Sequence, residues 1–335
     1  MKDQHLISPG KFAVLGRAGM DLYADPVGTR IETARTYEAH LGGSAGNIAA
    51  ALARLGAEAA LITCVSDDAV GRFVLAELDR YGIDRTHVAL VGNGRRTSLA
   101  VVETRPEDCQ AIIYRNGAAD FSLSKNDVEN IDFNQFSTLA VTGTALAEAG
   151  SRAAAMAALR AARMSGCFCL LDVDYRPYSW VSTDEAQAAC AGAAALCDGV
   201  IGNELEFDIL AGRKGDGRAF AQQIVTNGAR FAIYKMGENG AITYCPDCSF
   251  RTSIYQTKAL KPTGAGDAFL GALLAALAKG SNLQTAVLRG SAAAAIVVSR
   301  IGCAPASPTN AEIDALMRHA PQPAIDRGSD AHSTL

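Results

Sequence analysis

The chain has 335 residues, 49% of them hydrophobic and 20% charged, with a formal net charge of -4. This composition is typical of a globular protein with a sizeable core and argues against a disordered chain. Lys and Arg are scattered rather than gathered into a stripe, which argues against a nucleic-acid partner. No apolar run approaches the roughly 20 residues of a membrane span, and the N-terminus has no apolar signal core, so we expect a cytoplasmic protein with no membrane partner.

In chain order, runs rich in Val, Ile and Leu alternate with Ala-rich stretches of helical periodicity. This alternation is the pattern of β-α units built around a parallel sheet. The predicted strands are residues 12–15, 60–65, 138–141, 168–173, 199–201 and 231–234. The predicted helices are residues 47–55, 70–81, 149–164, 185–196, 266–278 and 283–298.

Two stretches, residues 23–40 and 97–115, break this alternation with short extended segments in which Thr, Val, Tyr and charged residues alternate. They predict a small second sheet inserted into the α/β order. Such a sheet can close over a site as a lid, and its open edges can pair with another subunit, so we expect a homodimer through the lid. Residues 321–335 are polar and contain Pro, Gly and Ser, which predicts a disordered tail.

Nine cysteines at irregular spacing, several of them inside apolar runs, indicate a reducing compartment. One pair, Cys245 and Cys248, has the spacing of half a zinc site or of a redox motif. No second pair completes it, and the intervening Pro-Asp is ordinary turn chemistry between two strand-like runs. A turn is therefore favoured over a metal or redox site.

The strongest chemical signal is the segment KPTGAGDAF at residues 261–269, which an apolar helical stretch follows. Its glycines allow close backbone approach, and free N–H groups at a helix start favour anionic charge, so the segment predicts a phosphate site. Asp267, in the first helical turn, can accept the proton of an attacking hydroxyl. Taken alone, the segment could also be a tight turn with a capping carboxylate.

A second glycine segment, LGGSAGN at residues 41–47, also leads into a predicted helix. Its small residues leave room for a ligand against the backbone, and Asn47 can both donate to and accept from hydroxyls, which suits a polyol. A dinucleotide site is the competing interpretation, but the spacing is G-G-x-x-G-N rather than G-x-G-x-x-G.

Together the two glycine segments resemble the signatures of the ribokinase-like, or PfkB, family of carbohydrate kinases. The similarity runs from about residue 12 to 320 and includes GRAGMD at 16–21, NELE at 203–206 and KMGENG at 235–240. It implies a three-layer α/β/α sandwich over residues 11–320, with a mostly parallel central sheet and the small β-sheet inserted as a lid. It also implies transfer of the γ-phosphoryl group of ATP to a sugar hydroxyl. The alternative from another class is a sugar-acid sensor that keeps the fold without turning over ATP.

The same resemblance implies a role for each motif residue. Asp267 would be the catalytic base, and the backbone N–H groups of Gly264, Ala265 and Gly266 would steady the transferring phosphoryl. Further substrate-binding residues would be Asp21, Gly42, Gly43 and Asn47. Nucleotide-binding residues would be Asn203, Lys235, Gly237, Gly240 and Thr263, together with Gly264 and Gly266.

Two of these segments lead to predictions about metal ions. By the resemblance, Glu206 of the N-x-x-E pattern helps to organise the Mg²⁺ of Mg-ATP through water, whereas Asn203 and Glu206 taken alone would be a helix cap. Many members have Thr in place of Lys235 and an Asp-Thr pair in place of Lys261-Pro262. Because that Asp helps to bind a monovalent cation in relatives, activation by potassium stays open for this chain.

Charged and aromatic residues follow the predicted strand 168–173 and include Asp174 and Arg176, at the edge where open α/β sheets bind ligands. We predict that Arg176 and Arg115, at the end of the inserted sheet, converge on a substrate carboxylate; a structural salt bridge is the alternative. The runs DVDYRPYSW at 172–180 and YRNGAAD at 114–120 resemble family members of myo-inositol catabolism, whose substrate is a keto-deoxy sugar acid. Another keto-deoxy sugar acid and the neutral sugar fructose are the alternatives.

Overall fold

The computed structural model describes residues 6–105, 109–261 and 263–327. Within these ranges the strands are β1 (Lys11–Leu15), β2 (Gly19–Asp25), β3 (Thr36–Gly42), β4 (Ala59–Ser66), β5 (Val88–Val91), β6 (Ser98–Val102), β7 (Ala111–Tyr114), β8 (Phe136–Thr142), β9 (Phe168–Asp172), β10 (Gly199–Asn203), β11 (Phe231–Lys235), β12 (Ala241–Cys245), β13 (Cys248–Thr252) and β14 (Ile325–Asp326). The helices are α1 (Ser44–Arg54), α2 (Ala69–Tyr81), α3 (Lys125–Glu129), α4 (Ala149–Met164), α5 (Thr183–Ala194), α6 (Glu204–Ala211), α7 (Gly217–Thr226), α8 (Ala265–Ala278), α9 (Leu283–Val298) and α10 (Asn310–His319). None of these helices is long and apolar enough to cross a membrane.

The large sheet has the strand order β14-β13-β12-β11-β10-β9-β8-β1-β4-β5. The strands from β11 to β5 in this order are parallel, and β12, β13 and β14 continue the sheet antiparallel at one edge. Strands β4 and β9 are buried along their whole length, because helices cover both faces of a parallel sheet. For that reason their sequences are continuous apolar runs. All six predicted strands are confirmed.

Successive side chains of each central strand point into two separate cores. On β1, Val14 packs with α1, α2, α8 and α9, whereas Ala13 and Leu15 pack with α4, α5, α6 and α7. The alternation follows from the two-residue period of a strand, which sends neighbouring side chains to opposite faces. The result is the predicted three-layer α/β/α sandwich.

The small sheet has the order β3-β2-β6-β7. Its strands come from two insertions, one between β1 and α1 and the other between β5 and α3, which agrees with the predicted inserted sheet. Its inner face includes Tyr23, Ala100 and Val102, which pack with Cys303 from the segment after α9. Because β2 begins only four residues after β1 ends, the small sheet stands beside the carboxyl end of β1.

Two peripheral segments differ in part from expectation. The predicted tail contributes β14 at the edge of the large sheet, where Ile325 pairs with Thr252, and its last residues, 328–335, lie outside the described residues. Cys245 and Cys248 face each other across the turn between β12 and β13, as the Pro-Asp turn predicts, and their sulfurs form a disulfide. The other seven cysteines are free.

Candidate active site

The predicted site residues follow the carboxyl ends of four parallel strands. Residues after β1, β9, β10 and β11 lie at the same edge of the large sheet, because parallel strands all end on one side. The N-termini of α1 and α8 meet at this edge as well, since an Asn47 amide on α1 bonds to Asp267 on α8. The edge therefore combines two helix starts with a cluster of charged side chains.

Asp267 lies in the first turn of α8 and is held by one defined partner. The Asn47 side-chain amide Nδ2 donates a hydrogen bond of 2.9 Å to its Oδ2. Burial raises the pKa of Asp267 to about 6, the charge of Asp174 adds to the rise, and the bond from Asn47 opposes it. A carboxylate with this pKa is largely ionised at neutral pH and still basic enough to receive a proton.

The start of α8 forms a binding site for anionic charge, which we call the phosphate seat. Gly264 precedes the helix with φ of 82°, and a Cβ atom there would lie 2.7 Å from the Cys303 sulfur, so glycine is required on both counts. The Lys235 ammonium lies 3.4 Å from the position that a Cβ on Gly266 would take. Free N–H groups, the positive end of the helix dipole and an ammonium thus face the same space.

Carboxylates outnumber cations around Lys235. Its Nζ lies 4.0 Å from Asp172 Oδ1, and the charge of Glu206 also acts on it. Burial, together with the neighbouring charges of Asp174 and Glu206, raises the pKa of Asp172 to about 8 against the opposing charge of Lys235. Such a cluster of oxygen ligands favours a hard divalent cation, and among the described residues no three of them are close enough to form a complete cage.

Glu206 and Asn203 form a capping box at the start of α6. The Asn203 Oδ1 accepts from the Glu206 N–H at 3.0 Å, and Glu206 Oε2 accepts from the Asn203 N–H at 2.6 Å. The other carboxylate oxygen, Oε1, accepts from the Tyr175 N–H at 3.3 Å. Burial raises the pKa of Glu206, so the side chain combines the helix-cap role with a place in the acidic cluster.

Two predicted substrate ligands leave buried oxygens without partners among the described residues. These oxygens are Asp21 Oδ1 and Asn47 Oδ1. Asp21 lies against the backbone of Gly42, where an added Cβ would come within 1.9 Å of its Oδ1, so the glycine is needed for the close approach. Unpaired buried acceptors are costly, and sugar hydroxyls are donors that would satisfy them.

The two arginines of the predicted clamp have different surroundings. The Arg115 side chain is buried, bonds to Asp120 and to the Thr144 carbonyl oxygen at 2.9 Å, and stacks 4.1 Å from the Phe121 ring centre. Asp120 occupies the Nε and Nη2 side of the guanidinium, whereas the buried Nη1 has no hydrogen-bond partner among the described residues, so the predicted carboxylate contact of Arg115 stays a prediction. Arg176 remains at the site edge, where its Nη2 lies 2.7 Å from Asp174 Oδ1.

Asp174 connects the start of α1 to Arg176. It accepts a hydrogen bond from the Ser44 hydroxyl at the start of α1, and it pairs with Arg176. Its φ of 35° lies in the left-handed region, which is uncommon for a residue other than glycine. Strained backbone conformations of this kind cluster at active sites, where the surrounding contacts hold the residue in place.

Arg17 is a site residue that the sequence interpretation passed over. It is 8% exposed and lies between β1 and β2, and its Nη1 donates a 3.0 Å hydrogen bond to Ser98 Oγ on the small sheet. No other hydrogen bond from its guanidinium is found within the described ranges. Its charge acts on Asp21 and opposes the rise in pKa that burial causes there, so Arg17 is a further candidate for contact with a substrate. The signal was its position inside the GRAGMD run.

The remaining predicted nucleotide residues lie around the same edge. Gly237 begins a 3₁₀ turn directly after β11, and Gly240 closes it before β12. Thr263 precedes Gly264, and its buried hydroxyl has no partner among the described residues. These positions are compatible with a nucleotide that lies along β11 and α8, and their individual contacts stay predictions.

This fold and this edge define a kinase of small molecules. Residues 10–310 match the model of the pfkB family carbohydrate kinases, and the chain belongs to that family. It is therefore a phosphotransferase with an alcohol group as acceptor, as the motifs predicted.

Two similar proteins of this family carry more specific names. The chain is 42% identical over 301 residues to a 5-dehydro-2-deoxygluconokinase of Photobacterium profundum, covering 88% of this chain and 91% of that relative. It is 36% identical over 316 residues to a 5-dehydro-2-deoxygluconokinase of Geobacillus thermodenitrificans, covering 93% and 94%.

Solved structures share the architecture. The aminoimidazole riboside kinase of Salmonella enterica, complexed with aminoimidazole riboside and an ATP analogue, is 25% identical with a TM-score of 0.78, covering 92% of this chain and 99% of that one. A putative ribokinase II of E. coli, in complex with ATP and Mg²⁺, is 23% identical with a TM-score of 0.83, covering 92% and 99%, and shows the fold.

Proposed function

We propose that this kinase transfers the γ-phosphoryl group of ATP to the 6-hydroxyl of 5-dehydro-2-deoxy-D-gluconate, a step of myo-inositol catabolism in the cytoplasm. The names of relatives at 36–42% identity support this substrate. The observation that carries the chemistry is the Asn47–Asp267 hydrogen bond, because it joins the polyol side of the edge to the carboxylate beside the phosphate seat.

In the proposed reaction, Asp267 takes the proton of the sugar hydroxyl as its oxygen attacks the γ-phosphorus. The bond between that phosphorus and the β-γ bridging oxygen breaks, and ADP leaves with the bridging oxygen. The N–H groups of Gly264, Ala265 and Gly266, with the Lys235 ammonium, face the charge that spreads over the transferring phosphoryl. Positioning and charge stabilisation supply most of the rate in such reactions.

Substrate hydroxyls would bind to the unpaired oxygens of Asp21 and Asn47, against the backbone of Gly42 and Gly43. The substrate carboxylate would bind to arginine. The charge of Arg17 acts on Asp21, Arg176 has a 47% exposed side chain, and the buried Nη1 of Arg115 has no hydrogen-bond partner among the described residues. Arg17 is therefore a further candidate beside Arg115 as the partner of Arg176.

The nucleotide would lie along Asn203, Lys235, Gly237, Gly240 and Thr263. The acidic cluster around Asp172, Asp174 and Glu206 suits Mg²⁺, which supplies positive charge to the ATP phosphates when it is bound and would be held by Glu206 through water. Burial raises the pKa values of Asp172 and Glu206, and the neighbouring charge of Asp174 adds to the rise, so a bound cation would favour their ionised forms.

We further propose that the lid forms a homodimer. In the small sheet Leu99 pairs with Tyr114 and Val101 with Ile112, so these side chains share one face. Ile112 is 42% and Tyr114 59% exposed on that face, and β3 and β7 are open edges. An apolar sheet face with open edges is well suited to a second copy of the same sheet.

Steady-state kinetics would test the proposed substrate. ADP release is measured with 5-dehydro-2-deoxygluconate, 2-keto-3-deoxygluconate, fructose and ribose, and the first acid is expected to have the highest kcat/KM. The variants R17A and R176A should lower kcat/KM for the acids by about 10-fold to 100-fold and for fructose much less, because a bidentate charged contact is lost. R213A, which removes an exposed ion pair with Asp216, is the matched control.

Each outcome has a clear meaning. A preference for fructose would retain the kinase and remove the sugar-acid substrate. Equal losses for acids and fructose in R17A would remove the role of Arg17 in carboxylate binding, and a loss confined to the acids in R115A would support the predicted clamp of Arg115 and Arg176. Absence of ADP release with all four sugars would favour the sensor.

A further inference from the structure

Lys261 buries an ammonium group directly behind the phosphate seat. The residue is 3% exposed, and its Nζ donates a 2.6 Å hydrogen bond to the Thr263 carbonyl oxygen. Within the described ranges it forms no salt bridge with a carboxylate. A buried ammonium without a paired carboxylate is costly, so a side chain of this kind needs a reason to be there.

The geometry of the peptide bond supplies the reason. The Thr263–Gly264 peptide is trans, and in a trans peptide the C=O and the following N–H point in opposite directions. When Lys261 holds the Thr263 oxygen on one side, the Gly264 N–H is directed to the other. That side is the start of α8, where the N–H groups face the transferring phosphoryl in the proposed reaction.

The surroundings fix the ammonium in place. Its Nζ lies 3.9 Å from the Cys303 sulfur, which in turn lies 3.1 Å from the Tyr23 hydroxyl of the small sheet. The backbone N–H of Lys261 bonds to the Val298 carbonyl oxygen at the end of α9. Its charge also acts on Asp21, and it opposes the rise in pKa that burial causes there. The ammonium thus contacts Cys303 and the loop before α8, which we call the phosphate loop, and it is linked to the lid through Cys303.

We propose that Lys261 is a positioning residue and the built-in cation of the phosphate loop. It fixes the direction of the Gly264 N–H and supplies positive charge behind the seat, so that the loop needs no bound monovalent cation. A monovalent metal ion at this point would meet an ammonium instead of a carboxylate, so the residues present do not fit one. The proposal rests on the proposed phosphoryl transfer.

Substitution and chemical rescue test this role. K261M should lower kcat by about 10-fold to 100-fold while the KM for ATP changes little, because a donor to the transferring group is misdirected. The matched control is K279M, since Lys279 also donates to a backbone carbonyl, that of Leu55 at 3.1 Å, but at the far end of α8. In K261A, added methylammonium, ammonium or K⁺ should restore part of the rate with saturation.

The wild-type protein provides a test that needs no variant. Its rate should be the same within about twofold in K⁺, Na⁺ or tetramethylammonium chloride at equal ionic strength, because its cation is covalently attached. Strong stimulation by K⁺ would overturn the proposal, as would a K261M enzyme with the wild-type kcat. Failure of every cation to rescue K261A would overturn the charge argument.

Nucleotide binding separates this proposal from the proposed function. Calorimetry with Mg-AMP-PNP and Mg-ADP should show that K261M loses about 10-fold of the preference for the nucleotide with a γ-phosphate, since only that phosphate reaches the Gly264 N–H. This measurement requires no sugar. If no sugar is phosphorylated but the preference falls, the substrate assignment fails and the role of Lys261 stands; an unchanged preference in a folded K261M protein would contradict the role itself.

Discussion

Replacing Asp267 by Asn tests the centre of the proposed mechanism. The asparagine keeps the shape and an oxygen that can accept from Asn47, so the arrangement of α1 and α8 should survive. An amide cannot take the proton of the sugar hydroxyl. General-base catalysis contributes about 10²-fold to 10⁴-fold, so kcat should fall by that factor, which corresponds to about 3–5 kcal/mol in the activation barrier.

The pH dependence sharpens this prediction. With a pKa of about 6, Asp267 is mostly ionised at pH 7 and becomes protonated as the pH falls through 6. The wild-type rate should therefore fall on the acid side with a midpoint near pH 6, and the residual rate of D267N should lack that decline. Coupled-assay kinetics from pH 5 to 8, with the sugar well below its KM, measure both, because kcat/KM reports the pKa values of the free enzyme.

Stability gives an independent readout of the same change. Because the folded-state pKa of Asp267 is raised, the contribution of this group to stability is complete below its ordinary pKa of 3.8 and is lost as the pH rises through about 6. D267N avoids that loss, so at pH 8 the free protein should gain up to about 3 kcal/mol of unfolding free energy.

The control is D184N, which changes an exposed first-turn carboxylate on α5. A D267N enzyme with kcat within about fivefold of wild type would refute general-base catalysis by Asp267, given the expected factor of at least about 10². An acid limb that stays the same in D267N would assign the pH dependence to another group.

Three further predictions follow from contacts around the site. G264A should reduce kcat and lower the unfolding free energy by at least about 1–3 kcal/mol, since the added Cβ meets the Cys303 sulfur and φ is positive. Urea unfolding measures the loss of stability, and a neutral effect would contradict the need for glycine. D120N removes the negative charge that is paired with the buried Arg115 and should cost about 3–5 kcal/mol of stability in urea. Y114E should shift the dimer to monomer in sedimentation velocity, whereas M164E, an exposed change on α4, should not; an unchanged dimer would place the interface elsewhere.

The large sheet and the long helices were predictable because their patterns are strong. Strands buried on both faces show uninterrupted apolar runs, and α4 and α9 extend over 16 residues each. The shorter helices α6 and α10 were not predicted, although both begin with a capping box. In each of them the box is followed by too few turns to establish a helical period.

Side-chain partners were much harder to predict than elements. The place of Arg115 at the end of the lid was predictable, whereas its bond to Asp120 was not. Conversely, Lys261 was recognised only as a departure from the family pattern, since nothing in its neighbours in sequence shows that its ammonium turns back to the Thr263 carbonyl. Local pattern fixes where a residue lies along an element, and only packing decides which of its neighbours it bonds.

The two bonding groups of Asn47 explain how the proposed site can favour sugar over water. Its Nδ2 holds Asp267, and its Oδ1 is buried without a partner among the described residues. A polyol can satisfy that oxygen and the unpaired oxygen of Asp21 while presenting another hydroxyl to Asp267, because its hydroxyls are joined by one carbon chain. A single water molecule at Asp267 leaves both acceptors unpaired. The binding energy of the remote hydroxyls therefore becomes available only when the correct acceptor is in line with the phosphate, which opposes hydrolysis of ATP.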